Sequence, residues 1–400
     1  MIMDVLPLYL LDDILFRLEL KSLAMMRCTN KYFQSYISDD SDFQIAYFSM
    51  YKIKPILLNL HCCGDSCIIC HPLVSSCDSM SVRHKDIELD YSYRCSIFGS
   101  CSGLLLLYIN GTLFVANPLT KRFRIIDHSG SKLIPMLVKE DHKYGWDLLK
   151  EKITRTERAM CVGFAVNRRT TKNFKIVCVL EMGTLYGFEI SDGCSWRLSE
   201  TTINAGSKSD LTTRMKHVYL DDTLHWLRND GSIIAFNPET EQARLIPSRF
   251  HRKQDMKLLF AADDKTNRLT LISGTKETIS VYTLVKKSKW TLSKRISIVS
   301  MEDSTLVRWN MVAYDGKRLV VREMKHYTFL GFVHVFDMEA NSWESLGSIW
   351  CAPNNYRDFY MFKPSLFSIE MDEQTKVLVA SDDQRILYLT KVMGLIDITK

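Results

Sequence analysis

The stretch NGTLFVANPLT, Asn110–Thr120, has a close counterpart in DGSIIAFNPET, Asp230–Thr240. In both, a turn-forming dipeptide opens a short apolar run, and an Asn-Pro-x-Thr sequence begins seven residues after the first residue of the dipeptide. Asn-Gly and Asp-Gly tolerate the positive φ of a tight hairpin turn, so each copy predicts a β-hairpin. Equal offsets in two separate places indicate a repeated structural unit.

The unit recurs in weaker form as a strand, a polar turn and a second strand that is usually led by tryptophan. Aligning Trp196, Arg244, Trp290 and Trp343 gives steps of 48, 46 and 53 residues. A four-stranded propeller blade takes roughly 40–50 residues. Residues 97–393 therefore predict an all-β propeller of about six blades, with the tryptophans packing between blades. A sandwich built from hairpins is the alternative.

The repeated unit is interrupted between Ser129 and Arg158, a segment rich in Lys, Arg, Asp and Glu. Excursions of this length without a regular element of their own are commonly functional. We predict a recognition loop here, and an unstructured surface loop is the alternative.

The N-terminal segment has a different hydrophobic pattern, because its apolar residues recur at helical spacing. Leu10, Leu11, Ile14, Leu15 and Leu18 follow the i, i+3, i+4, i+7, i+8 pattern of an amphipathic helix. Two further short helices are predicted before the polar sequence SDDSD. Three short helices enclose only a small core, so the surplus apolar surface predicts a protein interface.

Charge separates this segment from the rest of the chain. Residues 1–48 hold four Lys or Arg against seven Asp or Glu, a net −3, which leaves +9 on the remainder of a chain whose total is +6. The basic residues form no clustered stripe, so no nucleic-acid partner is predicted. No apolar run reaches the length of a membrane span, and the N-terminus lacks the basic region of a signal peptide. The 12 cysteines are expected to be reduced thiols in the cytoplasm or nucleus.

Two cysteine motifs have the composition of chemical sites. The sequence GSCSG, Gly99–Gly103, has the form of a nucleophile elbow around Cys101, but an apolar strand sequence follows where that motif needs a helix. The sequence HCCGDSCIICH, His61–His71, could supply zinc ligands, although it lacks a second ligand pair at the usual separation. We interpret both as strand and linker residues, and the sequence predicts no catalytic residue, metal or cofactor. A catalytic propeller is the alternative.

The N-terminal segment resembles an F-box. The resemblance is carried, in order, by Leu6-Pro7, Ile14-Leu15, Arg17-Leu18, Lys21-Ser22-Leu23, Arg27-Cys28, Lys31 and Phe43. Glu19 stands where many members have Pro, Asp13 where Glu is frequent, and Phe33 where Trp is common. None of these departures removes an apolar anchor.

A second resemblance covers the body of the chain. The sequences GSCSGLLLL, NPLTKRFR and VGFAVNRRTTKNFKIVCV are similar to the F-box-associated, kelch-like β-propeller domain of the large plant F-box family. The implied architecture is an α+β multidomain protein. Residues 1–48 would form a three-helix F-box, 49–95 a linker and first strands, and 96–395 the propeller.

The family resemblance implies a function. F-box proteins are non-catalytic substrate-recognition subunits of Skp–cullin–F-box ubiquitin ligases: the F-box binds the Skp adaptor and, through it, cullin, while the downstream domain holds a protein substrate for ubiquitination and proteasomal degradation. The expected adaptor-binding residues are Leu6, Pro7, Leu11, Ile14, Leu15, Leu18 and Leu23. Two alternatives stay open: some of these side chains pack internally, or the chain is a scaffold or competitor that binds the adaptor without forming an active ligase.

Overall fold

The structure is a computed structural model of the chain. It describes residues 7–50, 56–63, 65–72, 95–134, 161–167, 173–209, 211–212, 215–248, 250, 256–263, 266–285, 288–298, 307–325, 330–350, 359–367, 369–371, 375–376 and 383–396. Leu6 and most of the segment 129–158 lie outside these ranges.

The N-terminal segment contains four helices, not the three that the sequence predicted. They are α1 (Leu8–Leu15), α2 (Leu20–Met26), α3 (Lys31–Asp39) and α4 (Ser41–Met50). The polar sequence that we interpreted as the end of the module begins the fourth helix. There Asp40 accepts the backbone N–H of Phe43 at 2.9 Å and so satisfies a donor of the first turn. Asn30 caps α3 in the same way, accepting the N–H of Phe33 at 2.8 Å.

Strands dominate the rest of the described chain, and one helix, α5 (Gln384–Leu395), follows them. The strands are β1 (Ile56–Cys63), β2 (Asp65–Pro72), β3 (Cys95–Cys101), β4 (Leu104–Ile109), β5 (Thr112–Asn117), β6 (Arg122–Ile126), β7 (Val162–Val166), β8 (Phe174–Met182), β9 (Leu185–Ser191), β10 (Trp196–Leu198), β11 (Ile203–Asn204), β12 (Val218–Leu220), β13 (Thr223–Leu227), β14 (Ile233–Phe236), β15 (Ala243–Ile246), β16 (Lys257–Asp263), β17 (Arg268–Gly274), β18 (Thr278–Val285), β19 (Lys289–Ser297), β20 (Val307–Tyr314), β21 (Arg318–Lys325), β22 (Leu330–Asp337), β23 (Ser342–Trp350) and β24 (Phe359–Phe362). None of the helices in the described ranges is long and apolar enough to cross a membrane.

The strands form the blades of a propeller. Blades 1 to 5 are the antiparallel sheets β3–β6, β7–β10, β12–β15, β16–β19 and β20–β23, with β11 added to β9 in blade 2. The first strand of each blade contacts a strand of the next, and β24 lies between β20 and β3. The ring is closed by a three-stranded sheet in the order β2-β1-β24, which joins strands from both ends of the chain.

The prediction of a propeller is confirmed, but the predicted count of about six blades is wrong. In the part of the chain that the structure describes, five blades are complete and the closing sheet has three strands. Extending the repeat length to residue 393 predicted one blade too many, because the residues described after β24 form no further strand and include the helix α5. The closing strands β1 and β2 instead come from upstream of the first repeat, where no turn motif marks them.

The repeated Asn-Pro-x-Thr sequences form the same turn in the structure. The side-chain oxygens of Asn117 and Asn237 each accept the backbone N–H groups two and three residues ahead, at 2.9–3.3 Å. Asp337 does the same in blade 5 at 2.8 Å. Each turn joins a third strand to a fourth, and each ends in a residue of positive φ, namely Lys121, Glu241 and Asn341. The repeat inferred from spacing is therefore a repeat of local hydrogen bonding.

The aligned tryptophans link neighbouring blades, as the sequence predicted. Trp196 lies in the outer strand of blade 2 and donates its Nε1–H to the carbonyl oxygen of Asp127 in blade 1 at 2.6 Å. Trp343 lies in the outer strand of blade 5 and donates to the carbonyl oxygen of Ser297 in blade 4 at 3.2 Å. The same side chain thus makes the same connection in two places.

The two cysteine motifs fall on strands. Cys101 ends β3, and Ser102 and Gly103, with φ of 47° and 77°, turn the chain directly into β4. A strand–turn–strand arrangement is not a nucleophile elbow. The segment His61–His71 forms the β1–β2 hairpin. The side chains of Cys67 and Cys70 lie outside the described residues. Among the described residues no group of three His, Cys, Asp or Glu could hold a metal.

Candidate adaptor-binding surface

The four N-terminal helices enclose a small core of their own. Leu15 and Leu23 are fully buried, and Leu11 is 4% exposed. The buried side chains that share this core are Leu11, Leu15, Leu20, Leu23, Phe33, Ile37, Phe43 and Tyr47. We term this unit the helical module. Its interior explains why α1 and α2 are amphipathic, since one stripe of each helix must face the other helices.

The propeller completes that core. Leu366, which follows β24, is fully buried in the same cluster, and Leu119 from the β5–β6 turn packs against its edge. Arg27 is 7% exposed and donates from Nη1 to the carbonyl oxygen of Leu366 at 3.2 Å. The helical module is therefore seated on blade 1.

Asn117 holds the segment on which the module sits. Its Nδ2 donates to the carbonyl oxygens of Ser365 and Phe367, at 3.0 and 2.8 Å, on either side of Leu366. The same side chain caps its own turn through its oxygen. One buried amide thus joins the turn carrying Leu119 to the segment carrying Leu366, the two propeller contributions to the module's core.

The outer face of α1 is apolar, and no described residue of this chain covers it. Pro7, Leu10 and Ile14 occupy positions i, i+3 and i+7, which lie on one stripe of a helix. Leu10 is 40% and Ile14 51% exposed. Leu8 and Tyr9 are also exposed, at 60% and 69%. An exposed cluster of large apolar side chains on one helix usually marks a protein interface.

The predicted adaptor-binding residues separate into two groups. Pro7 and Ile14 lie on the exposed outer face, and Leu18 is partly buried. Leu11, Leu15 and Leu23 lie in the core of the module, so their burial conflicts with a direct contact to a partner. Leu6 lies outside the described residues.

The sequence held a signal that would have separated these groups. The doublets Leu10-Leu11 and Ile14-Leu15 place one apolar residue on each of two adjacent stripes of α1. A helix that needs only one buried face has no use for the second stripe. Leu10 is the exposed residue that the prediction missed.

Polar contacts fix α1 against α3. The Tyr36 hydroxyl donates to Asp12 Oδ1 at 2.6 Å. Burial, together with this carboxylate, raises the pKa of Tyr36 above its usual value, so the hydroxyl stays a donor throughout the physiological range. Glu19, one of the departures from the F-box pattern, has φ −61° and ψ 153°. Proline requires nearly the same φ, so this substitution leaves the α1–α2 connection unchanged.

A cleft of about 380 Å³ separates α2 from blade 1. It is lined by Lys21, Ala24, Met25, Arg27, Cys28, Pro118, Leu119, Thr120, Lys121 and Ile396. Lys121 closes one side by donating from Nζ to the carbonyl oxygen of Met393 in α5. Met25 is 63% exposed at the rim, so α2 also has an exposed apolar side chain.

A helical module with an uncovered apolar face, seated on a propeller, defines a class of interaction protein with a separate docking handle. Residues 48–330 match the model of the F-box associated beta propeller domain family. The chain is 63% identical to the Arabidopsis thaliana "Putative F-box/kelch-repeat protein At1g20940" over 100% of its own length and 97% of that protein. It is also 63% identical to the Arabidopsis F-box protein At1g20360, over 76% of this chain and 95% of that protein.

This chain therefore belongs to the F-box proteins that carry an F-box associated β-propeller domain. Neither the family model nor the names of these relatives indicates an enzyme. Among solved structures, a Bacteroides thetaiotaomicron protein of unknown function superposes with a TM-score of 0.35 at 9% identity, over 63% of this chain and 56% of its own. That likeness is too weak to carry an argument.

Proposed function

We propose that this chain is the substrate-recognition subunit of a Skp–cullin–F-box ubiquitin ligase. Its helical module binds the Skp adaptor, which recruits cullin, and its propeller holds a protein substrate for ubiquitination and proteasomal degradation. The subunit itself is non-catalytic. The observation that carries the proposal is the uncovered apolar stripe of Pro7, Leu10 and Ile14 on a module whose core is already closed.

The exposed area indicates how large the adaptor interface must be. Fully burying one Leu or Ile contributes about 1.5–3 kcal/mol. Leu8, Leu10 and Ile14 are 40–60% exposed, so covering them contributes about half of that each, roughly 2–4.5 kcal/mol together. A micromolar complex needs about 8 kcal/mol. The interface must therefore extend beyond α1, and the exposed Met25 on α2 is the next contact that we propose.

The seating of the module supports a role in positioning. Arg27 joins the module through a buried contact to Leu366, in the segment that Asn117 of blade 1 holds. A substrate held by the blades is then kept at a defined distance from the adaptor, which a flexible tether would not provide. We propose that this activity takes place in the cytoplasm or nucleus, because the cysteines described with side chains are free thiols.

Reconstitution tests the proposal directly. The purified chain is mixed with a plant Skp adaptor, cullin, the RING subunit and ubiquitin-charging enzymes, and co-purification and ubiquitin transfer to a bound protein are both measured. We expect a stable complex that contains cullin and transfers ubiquitin. A complex with the adaptor that never recruits cullin would instead support the scaffold or competitor role, and a well-folded chain with no affinity for any Skp adaptor would reject the proposal.

A further inference from the structure

Blade 2 extends beyond blade 1 at one end of the interface between them. Its strands β8 and β9 have nine and seven residues, whereas β4 and β5 of blade 1 have six each. Ile176 and Cys178 of β8 are buried in the apolar cluster between the two blades. Leu180 and Met182 are the next residues on the same face of β8, but Leu180 is only half-buried and Met182 is 53% exposed. The described residues of blade 1 therefore leave this end of the sheet face uncovered.

Three exposed apolar side chains share this face. Met182 is paired with Leu185 across the β8–β9 hairpin, and Leu198 of β10 is paired with Glu189, four residues along β9 from Leu185. Paired residues, and alternate residues along one strand, lie on the same side of a sheet. Leu185 is 41% and Leu198 47% exposed. We term the surface formed by Met182, Leu185 and Leu198 the blade 2 patch.

This grouping is unusual within the molecule. Among the described residues outside the helical module, five large apolar side chains are exposed, and three of them form the blade 2 patch. The other two are on different elements, Leu292 on β19 and Leu387 on α5. Single exposed apolar residues are normal on a protein surface, whereas a group on one face indicates an interaction site.

A buried carboxylate places a lysine beside the blade 2 patch. Glu189 lies on the same face of β9 and is 2% exposed. Its carboxylate accepts the hydroxyl of Ser131 and the backbone N–H of Lys132, each at 2.7 Å. These bonds fix residues that follow blade 1 on the face of blade 2, and the side chain of Lys132 is exposed there. The surface therefore combines apolar side chains with a neighbouring positive charge.

The size of the blade 2 patch favours a short segment over a second folded copy of this chain. Each partner of a stable protein interface buries about 800 Å², and three half-exposed apolar side chains supply less than about half of that area. Leu185 and Glu189 are four residues apart on β9, a distance of about 13 Å. An extended partner segment spans the same distance in four residues, and its alternate side chains all face the sheet.

We infer that the blade 2 patch binds an extended segment of a partner protein, with alternate apolar side chains on Met182, Leu185 and Leu198 and a carboxylate on Lys132. The role of that partner as the ubiquitination substrate rests on the proposed function, but the binding itself does not. The β8–β9 turn is the second of its blade and the β5–β6 turn, which contacts the helical module, is the third of its own. Successive turns alternate between the two ends of a propeller, so the adaptor and the segment bind at opposite ends.

Peptide selection on the purified full-length chain tests this inference. The probe is a phage-displayed library of random dodecapeptides. Selected peptides should carry apolar residues two or four positions apart together with an Asp or Glu. A selection that enriches no such peptide would overturn the inference.

Variants locate the site, and the anisotropy of a selected, fluorescein-labelled peptide measures the affinity. Met182→Ser with Leu185→Ser should weaken binding at least tenfold, whereas the matched control Leu292→Ser, at a leucine that is 39% exposed in blade 4, should change it less than twofold. Lys132→Glu should weaken binding at least threefold, but not for the same peptide with its acidic residue changed to Gln. Equal weakening by Leu292→Ser, or an unchanged affinity for Lys132→Glu, would overturn the inference.

Oxidation by hydrogen peroxide distinguishes the possible occupants, because exposed methionine is converted to the sulfoxide faster than covered methionine. In the dilute free chain Met182 should react at a rate similar to that of Met25, which is 63% exposed. The selected peptide should protect Met182 at least fivefold and leave Met25 unchanged. Protection of Met182 in the dilute free chain would show that the chain covers the patch itself, and protection that grows with chain concentration would assign it to a second copy. Either result would overturn the inference.

Adaptor binding is measured on the same preparations. The variants of the blade 2 patch should keep their affinity for the Skp adaptor, and Ile14→Asp should keep its affinity for the selected peptide. Failure of peptide binding with intact adaptor binding would reject this inference alone. The opposite result would reject the adaptor role and leave the blade 2 patch standing as a binding site.

Discussion

The neighbours Ile14 and Leu15 give the sharpest test of the adaptor surface, because they lie on adjacent stripes of α1, one exposed and one buried. Ile14 is 51% exposed and Leu15 is fully buried. We expect Ile14→Asp to abolish tight adaptor binding while the module stays folded. Leu15→Ala should instead destabilise the module by about 2–5 kcal/mol, as expected for a buried leucine.

The magnitude follows from the exposed fraction. Covering the outer half of Ile14 contributes about 0.8–1.5 kcal/mol to binding. A carboxylate that is desolvated there without a partner costs about 1–3 kcal/mol more. The total loss of binding free energy is therefore at least about 1.8 kcal/mol, which corresponds to a roughly 20-fold larger dissociation constant. The stability of the free chain should change by no more than about 0.5 kcal/mol, as for other exposed sites.

Isothermal titration calorimetry with a purified plant Skp adaptor measures the affinity, and urea unfolding measures the stability. The matched control is Leu387→Asp on α5, because Leu387 is also 51% exposed but lies outside the helical module. It should leave the adaptor affinity unchanged. Wild-type affinity for a folded Ile14→Asp variant, or equal losses for Ile14→Asp and Leu387→Asp, would refute the assignment of the outer face of α1.

Three further predictions concern the propeller. Asn117→Ala should lower the free energy of unfolding by about 2–4 kcal/mol because it removes both a turn cap and two hydrogen bonds to the segment around Leu366. Asn237→Ala, which loses only its turn cap, should lower it by about 1 kcal/mol. Equal losses for the two variants in urea unfolding would contradict this account. Trp343→Phe should cost about 0.5–1.5 kcal/mol by removing the bond from Nε1 to the preceding blade, and an unchanged thermal midpoint would argue against that connection. Burial lowers the pKa of His225 to about 4, so as the pH falls from about 6.5 to 4 this imidazole takes up a proton in the unfolded chain but not in the folded one. The free energy of unfolding should therefore decrease as the pH falls through that window. His225→Gln should flatten this slope of stability against pH, and an unaltered slope would count against the assignment.

The repeat was predictable because the signals that mark it are local. Asn117 and Asn237 hold their turns through bonds to residues two and three positions ahead, so seven-residue offsets carried over directly into structure. The turn-forming dipeptides Asn110-Gly111 and Asp230-Gly231 were less reliable signals. Asn110 and Gly111 have φ of 41° and 87°, as in a two-residue type I′ turn, whereas in the second copy only Gly231 has positive φ, within a longer connection.

The sequence by itself determined that the body is built of repeated blades, the Asn-Pro-x-Thr turns within them and the presence of an apolar helical module at the N-terminus, since each depends on residues a few positions apart. Tertiary structure alone decided how the ring closes and which leucines of α1 face inward. Closure pairs Ile56 with Phe362, and the module's core is completed by Leu366. Those partners are separated by about three hundred residues, and burial across such a distance is a property of the packed chain that no short sequence pattern encodes.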